Sequence, residues 1–234
     1  EHGQKIVQAA EKVKKSPQQF VDSFIDSYKS IWKLYEISYD YFVRTTDFQH
    51  KKAVQIWLQK LIDQGDIYKG FYTGWYCTPC ETFITEKDQS AEKVVPICPD
   101  CQRDTTEISE ECYFFKLSKY QDRLLAFYEN NPEWITPKER IQEVVSFVRE
   151  GLKDLSISRT TISWGIPFPG DEQHVTYVWA DALNNYITAV GYGSEDNQQH
   201  FDACWPADMQ VLGKDIIRFH AIYWPAFLMA SNLP

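Results

Sequence analysis

Four cysteines carry the most informative spacing in this 234-residue sequence. Cys77-Thr-Pro-Cys80 and Cys98-Pro-Asp-Cys101 are two C-x-x-C pairs separated by the stretch 81–97. Each short loop can present two thiolates to one tetrahedral ion, which is the pattern of a closed four-sulfur zinc site. The intervening residues are mostly polar or charged and cannot build a core. A metal would supply the folding free energy that apolar burial cannot. Paired disulfides, unconnected buried thiols and a redox C-x-x-C compete with this reading. The redox reading needs one pair free of metal at a helix N-terminus. Spacing favours Zn2+, and four protein ligands make it structural, with no position left for water. Cys112 and Cys204 lie outside the pattern and read as inert thiols.

A second set lies in the C-terminal half. Gly213-Lys214-Asp215 falls where an apolar run, Met209-Gln-Val-Leu, gives way to a helical pattern. There Gly213 lets the backbone approach a ligand, and Asp215 can accept hydrogen bonds from a ribose. A plain N-cap is the competing role for Asp215. His220 sits between Phe219 and Ala221 in an apolar helical pattern, where a satisfied core histidine is the ordinary reading. Trp179, Ala182, Leu183 and Tyr186 are spaced as core packing, or as the wall of an apolar pocket. Arg159 is a cation in the nearly uncharged Leu155-Ser-Ile-Ser stretch, either a surface residue or a functional one.

The elements that must position these residues are those of a globular α/β protein. Composition is 44% hydrophobic and 24% charged. Six cysteines suit a reducing, cytoplasmic setting better than a secreted scaffold. No apolar run reaches membrane-spanning length and no signal-peptide pattern opens the chain. A net charge of −9 argues against indiscriminate nucleic-acid binding and against DNA as a partner, while leaving room for a local docking face. The opening Glu1-His2-Gly3 and the close at Leu233-Pro234 read as a section of a longer protein.

Ser16-Pro17 with Gln19 predicts a capping box, followed by one apolar stripe of Phe20, Phe24, Tyr28, Ile31, Trp32 and Tyr35 that should be core. Residues 39–44 could form a strand. A helix is expected from Thr46 or Asp47 to Gln64, with Val54, Trp57, Leu58, Leu61 and Ile62 inward and Gly65 as its stop. Short strands from Asp66 to Tyr76 and from Glu111 to Leu117 should flank the cysteine segment. Helices follow over 119–130 and 137–150, the second opened by a Thr136-Pro-Lys-Glu139 capping box. Then come a strand over 175–179, a helix over 181–190 stopped by Gly191, a buried strand over 209–213, and a helix over 215–230. A strand, a glycine turn and a helix in that order is the grammar of an open parallel sheet.

Several runs carry a further likeness: Glu1-His-Gly-Gln-Lys5, Arg44-Thr-Thr-Asp47, Tyr68-Lys-Gly-Phe-Tyr-Thr-Gly-Trp-Tyr-Cys77, Leu155-Ser-Ile-Ser-Arg159, Trp164-Gly-Ile-Pro167, Tyr177-Val-Trp-Ala-Asp-Ala-Leu183 and Gly213-Lys-Asp-Ile-Ile-Arg-Phe-His-Ala-Ile-Tyr-Trp-Pro225. Over essentially its whole length the chain resembles the class I aminoacyl-tRNA synthetases, specifically the methionyl enzymes. The resemblance implies part of a Rossmann-type parallel-sheet domain with an inserted zinc-binding connective domain. Its divisions would be a helical part of the catalytic domain over 1–65, the zinc insertion over 66–118, and a return to the catalytic domain over 119–234. It implies activation of methionine with ATP and Mg2+, then transfer to tRNA(Met). Carried over by position, the methionine pocket comprises Trp179, Ala182, Leu183, Tyr186, Ile216, Phe219, His220 and Trp224. Gly213 and Asp215 meet the ATP ribose, Arg159 assists catalysis, and Cys77, Cys80, Cys98 and Cys101 hold Zn2+. Ala180 stands where a bulkier aromatic is expected. The nucleotide motifs His-Ile-Gly-His and Lys-Met-Ser-Lys-Ser would lie outside these residues, so the chain alone is expected to be inactive. A non-catalytic zinc-ribbon adaptor, holding RNA or protein on an aromatic face, is the alternative.

Overall fold

The computed structural model describes residues 1–84 and 95–234; most of the polar stretch between the cysteine pairs lies outside them. Three helices open the chain: α1 (Gln4–Lys12), α2 (Pro17–Asp22) and α3 (Ile25–Leu34). The Ser16 capping box forms as expected, with the Gln19 N–H donating to Ser16 Oγ and the Ser16 N–H donating to the Gln19 side chain. The stripe behind it does not become core. No residue of α3 is buried, and Tyr28 and Tyr35 are 55% and 72% exposed. Helical spacing specifies an apolar face, whereas burial also needs a partner, and here Trp32 alone of the α3 stripe is half-buried, against Tyr39 and Phe42 at 4.9 and 5.1 Å. Residues 39–44 form no strand.

Helix α4 (Phe48–Asp63) forms where expected, starting behind Asp47 without a side-chain cap and with Ile62 only half-buried. Val54, Trp57, Leu58 and Leu61 are buried, and Gly65, at φ +74, takes the left-handed turn that ends it. Long strands β1 (Ile67–Cys77) and β3 (Thr106–Phe115) pair antiparallel from Ile67↔Phe115 to Tyr76↔Thr106. Their ladder runs from the main core at one end to the cysteine segment at the other. Strand β2 (Thr82–Phe83) adds to β1, and β4 (Leu155–Ser156) to β3. Helices α5 (Gln121–Asn130) and α6 (Glu139–Arg149) follow β3. The Thr136 capping box does not form: α6 begins at Glu139 behind Lys138, without a side-chain cap.

A second antiparallel sheet, in the order β5-β7-β6, comprises β5 (Ser158–Arg159), β6 (Pro167–Phe168) and β7 (Asp171–Thr176). The expected strand over 175–179 therefore ends at Thr176, and Trp179 belongs to a short helix, α7 (Val178–Ala182). The 181–190 helix is broken into α7 and α8 (Asn185–Thr188), before α9 (Gln198–Cys204). Every strand pairing among the described residues is antiparallel. Met209–Gly213, expected to be a buried strand, has no ladder partner among the described residues, and Val211 is 89% exposed. A strand forms only where a neighbour satisfies its backbone groups, and among the described residues none pairs with this segment.

The last helical stretch is also irregular. A 3-10 turn at Lys214–Ile216 is followed by a π-helical segment at Phe219–Tyr223 and then α10 (Trp224–Ser231). Pro225 explains the break. It has no N–H, and its ring crowds the carbonyl four residues back, that of Ala221. The freed carbonyl accepts a 2.5 Å hydrogen bond from Tyr128 Oη of α5. The core gathers between α4, α10 and β3, where Phe227 meets both Trp57 and Phe115 edge-on, with ring centroids 5.0 and 4.9 Å away.

Candidate functional site

The four cysteines converge as their spacing demands. Their Sγ atoms all lie within 4.8 Å of one another. Cys77 Sγ is 3.5 Å from Cys101 Sγ, and Cys98 Sγ is 3.8 Å from Cys80 Sγ. Sulfurs about 2.3 Å from a tetrahedral ion stand about 3.8 Å apart, whereas disulfide sulfurs approach to about 2.05 Å. The donor set fits zinc. Burial pushes the Cys77 thiol up to about 12 and raises Cys80. Against the upward pull of burial, the Arg103 N–H lowers Cys101. Thiols this crowded cannot ionise together without a cation, and Zn2+ would supply that charge as it displaces their protons. With all four thiols clustered, neither C-x-x-C stands free as the redox reading requires.

Far along the chain, an aromatic cluster assembles around His220. The Trp179 indole stacks on Phe219 with centroids 3.8 Å apart and planes 8° from parallel. Tyr186 Oη lies 2.7 Å from His220 Nε2, and Trp224 closes behind Tyr186 at 5.9 Å. His220 Nδ1 is 3.0 Å from the Ile216 carbonyl, which can only accept, so Nδ1 carries a proton. Burial lowers the His220 pKa, keeping the ring neutral with Nε2 accepting from Tyr186. The π-helical turn sits under this cluster, a distortion often found where helices carry function. Leu183 and Ala180 are fully buried behind it, Ala182 and Ile216 half-buried beside it. The buried Trp179 Nε1 has no hydrogen-bond acceptor among the described residues. Gly213 and Asp215 stand exposed just before the cluster, and a Cβ on Gly213 would meet nothing within 4 Å.

Arg159 is neither a surface residue nor a member of that cluster. It is 3% exposed, clamped between the rings of Tyr177 and Tyr76 at 4.6 and 5.3 Å. Its Nη1 donates to Ser156 Oγ and the Ser158 carbonyl, and its Nε is 3.7 Å from Glu110 Oε1. With His2, Glu81 and Trp164 it lines a recess beside Val178.

Residues 1–112 and 103–234 match the family profile described as tRNA synthetases class I (M). The chain belongs to the methionyl branch of the class I tRNA synthetases. Methionine–tRNA ligases from Thermotoga maritima and Clostridium acetobutylicum are 50% and 53% identical over the whole chain, which spans 37% and 36% of their lengths. The Mycobacterium tuberculosis methionyl-tRNA synthetase bound by methionyl-adenylate superposes with a TM-score of 0.95 at 42% identity, over all of this chain and 46% of that one. Its apo form matches 93% of this chain with a TM-score of 0.84. The chain thus spans about a third of the length of the curated relatives it matches.

Within this methionyl-family chain, one network escaped sequence reasoning. Asp181 of α7 is 1% exposed and lies 2.6 Å from His2 Nδ1 and 2.6 Å from His50 Nε2. His50 Nδ1 reaches Thr188 Oγ1 at 2.7 Å. Burial alone would raise the Asp181 pKa, but the two imidazoles hold it below the ordinary value. The two family runs near the N-terminus also meet: Arg44 donates to Glu1 and Asp22 at 2.9 and 2.6 Å, and Thr46 to Glu1. An acidic residue inside an apolar run, as in Trp179-Ala-Asp181-Ala, was the available signal for the Asp181 network, because a buried charge requires partners.

Proposed function

We propose that these residues are the central section of a cytoplasmic methionine–tRNA ligase and that the cluster around His220 receives the methionine side chain. The observation that carries this is the Trp179–Phe219 stack beside a neutral His220 locked to Tyr186. A thioether offers little to hydrogen-bond. Recognition must rest on shape and on sulfur–aromatic contacts of about 0.3–1.5 kcal/mol each. Ala182 and Leu183 set the width of the pocket, with Ile216 and Trp224 at its base. His220 takes no part in proton transfer: Nδ1–H is committed to Ile216 and Nε2 to Tyr186.

In the proposed reaction the methionine carboxylate attacks the α-phosphorus of Mg2+-bound ATP, and pyrophosphate leaves. The aminoacyl group then passes to tRNA(Met). Asp215, beside Gly213, accepts from the ATP ribose, and Arg159 supplies positive charge during activation. Zn2+ on Cys77, Cys80, Cys98 and Cys101 stabilises the insertion over 66–118 between the catalytic parts over 1–65 and 119–234. Among the described residues no helix is long and apolar enough to cross a membrane. The exposed α3 face is the feature that favours the adaptor reading, but the aromatic cluster gives the ligase the stronger support.

Pyrophosphate exchange by the full-length protein tests the assignment. Trp179→Ala and His220→Ala should each raise the methionine KM while leaving the ATP KM nearly unchanged. Loss of ATP affinity with methionine affinity kept would assign the cluster to the wrong substrate.

A further inference from the structure

One residue touches the zinc segment, the N-terminal helix and the Arg159 recess together. Glu81 directly follows the ligand Cys80 and takes a left-handed backbone, φ 52. Gln102, directly after Cys101, does the same at φ 58, so both turns leave the metal alike. Gln102 is spent locally, its side chain donating to the Pro99 carbonyl and its N–H to the Cys98 carbonyl. Glu81 reaches outward instead. Its carbonyl accepts from Tyr177 Oη at 2.6 Å, its Oε2 from Tyr76 Oη at 2.7 Å, and its Oε1 from the Lys5 N–H at 3.1 Å.

Those two tyrosines are the pair whose rings clamp Arg159. Tyr177 is also the N-cap residue of α7, two positions before Trp179. Gly3 makes room for the contact. A Cβ there would stand 2.7 Å from Glu81 Oε1, and φ +138 already disfavours any other residue. One glutamate beside a metal ligand therefore fixes both sides of the Arg159 clamp and the start of the helix that carries Trp179.

We propose that Glu81 is a positioning residue through which the metal-bound turn sets the geometry of Arg159 and α7. It rests on the reading of that region as the methionine-activation site. Zinc fixes Cys80, Cys80 fixes the backbone of Glu81, and Glu81 fixes Tyr76 and Tyr177. The carboxylate acts through the Tyr76 phenol, and the Glu81 backbone carbonyl through that of Tyr177.

Hydrogen exchange over residues 177–183 tests the coupling without any substrate. In the wild-type protein, chelating zinc should speed exchange there about 10-fold, which corresponds to about 1.4 kcal/mol. Tyr177→Phe, which deletes the bond to the Glu81 carbonyl, should produce that speeding with zinc still bound at one equivalent, and chelation should then add little. Glu81→Ala keeps that carbonyl and loses the carboxylate contacts with Tyr76 and Lys5, so it should speed exchange around Tyr76, and Glu81→Gln, which keeps one acceptor, should recover part of that protection. If Glu81→Ala releases zinc or fails to fold, Tyr76→Phe serves instead, since it deletes the bond to the Glu81 carboxylate. Wild-type exchange over 177–183 in Tyr177→Phe, or an undiminished response to chelation there, overturns the proposal. Pyrophosphate exchange with methionine adds a second arm: Glu81→Ala should lower kcat about 10–100-fold, the scale of small misplacements at a reacting centre. A wild-type protein without that exchange would sink the methionine reading and leave the hydrogen-exchange result to decide the coupling.

Discussion

The four-cysteine turns and the His220 cluster solve opposite problems of assembly. The four clustered cysteines come as two local pairs, Cys77/Cys80 and Cys98/Cys101, at the far end of the β1–β3 ladder, away from the main core. The cluster gathers Trp179, Tyr186, Phe219, His220 and Trp224 from separate helical pieces packed against that core. In the first region covalent spacing does the organising, with an ion as the proposed partner. In the second, apolar packing, a proline-broken helix and a buried charge do it. The two regions should therefore fail under different perturbations, apart from the proposed coupling through Glu81 into α7.

Zinc removal should give the largest effect. Structural zinc sites contribute apparent binding energies of about 10–16 kcal/mol at neutral pH. Chelation, or Cys98→Ser, should unfold the cysteine end of the ladder while the core around Trp57, Phe115 and Phe227 persists. Amide exchange resolved by segment reads this directly; equal loss of protection in both regions would erase the distinction.

Asp181→Asn should come next, with the burden falling on the other region. Removing one member of a buried, paired charge set commonly costs about 3–5 kcal/mol. Urea unfolding should show that loss with zinc content unchanged. The pH dependence follows from the lowered pKa of Asp181. Its stabilisation is full above the unfolded value of about 3.9 and disappears as pH falls through the lower folded value. Asp181→Asn should flatten that part of the acid-stability curve; an unchanged acid limb would mean the carboxylate is not what the two histidines hold.

Tyr128→Phe should be smaller. It leaves the Ala221 carbonyl, already freed by Pro225, without its partner, and an unsatisfied buried acceptor costs about 1–3 kcal/mol. The same urea measurement should find the loss. A neutral result would mean the π-helical turn needs no support from α5.

What could be read in advance divides along the same line. The cysteine pairs, the Ser16 capping box and the inward face of α4 are local patterns, and each formed as its spacing implies. Residues whose fate depends on a distant neighbour were not legible. Tyr28 of α3 and Tyr35 at its end have the periodicity of core but lie exposed, while Met209–Gly213 has the composition of a buried strand and pairs with none of the described residues. Arg159 reads as an ordinary cation, yet it is buried between two rings supplied by β1 and by the turn into α7. Pro225 was the one visible sign of an irregular last helix, since a proline inside a helical pattern must break or bend it. Family likeness named the members of the cluster, but only the folded chain shows that His220 gives its Nδ1 proton to Ile216 and is tied to Tyr186.

The most direct test of the central claim is a methionine titration of the full-length protein, followed through the Trp179 indole N–H and the His220 ring nitrogens by 15N NMR. Trp179 Nε1 has no acceptor among the described residues and His220 is held neutral, so both should report on a side chain entering the cluster. Methionine alone should shift the Trp179 and His220 signals, with His220 remaining the neutral Nδ1–H tautomer, and ATP alone should leave them nearly unmoved. Signals that respond to ATP but not to methionine, or a His220 ring that is protonated at neutral pH, would contradict the assignment.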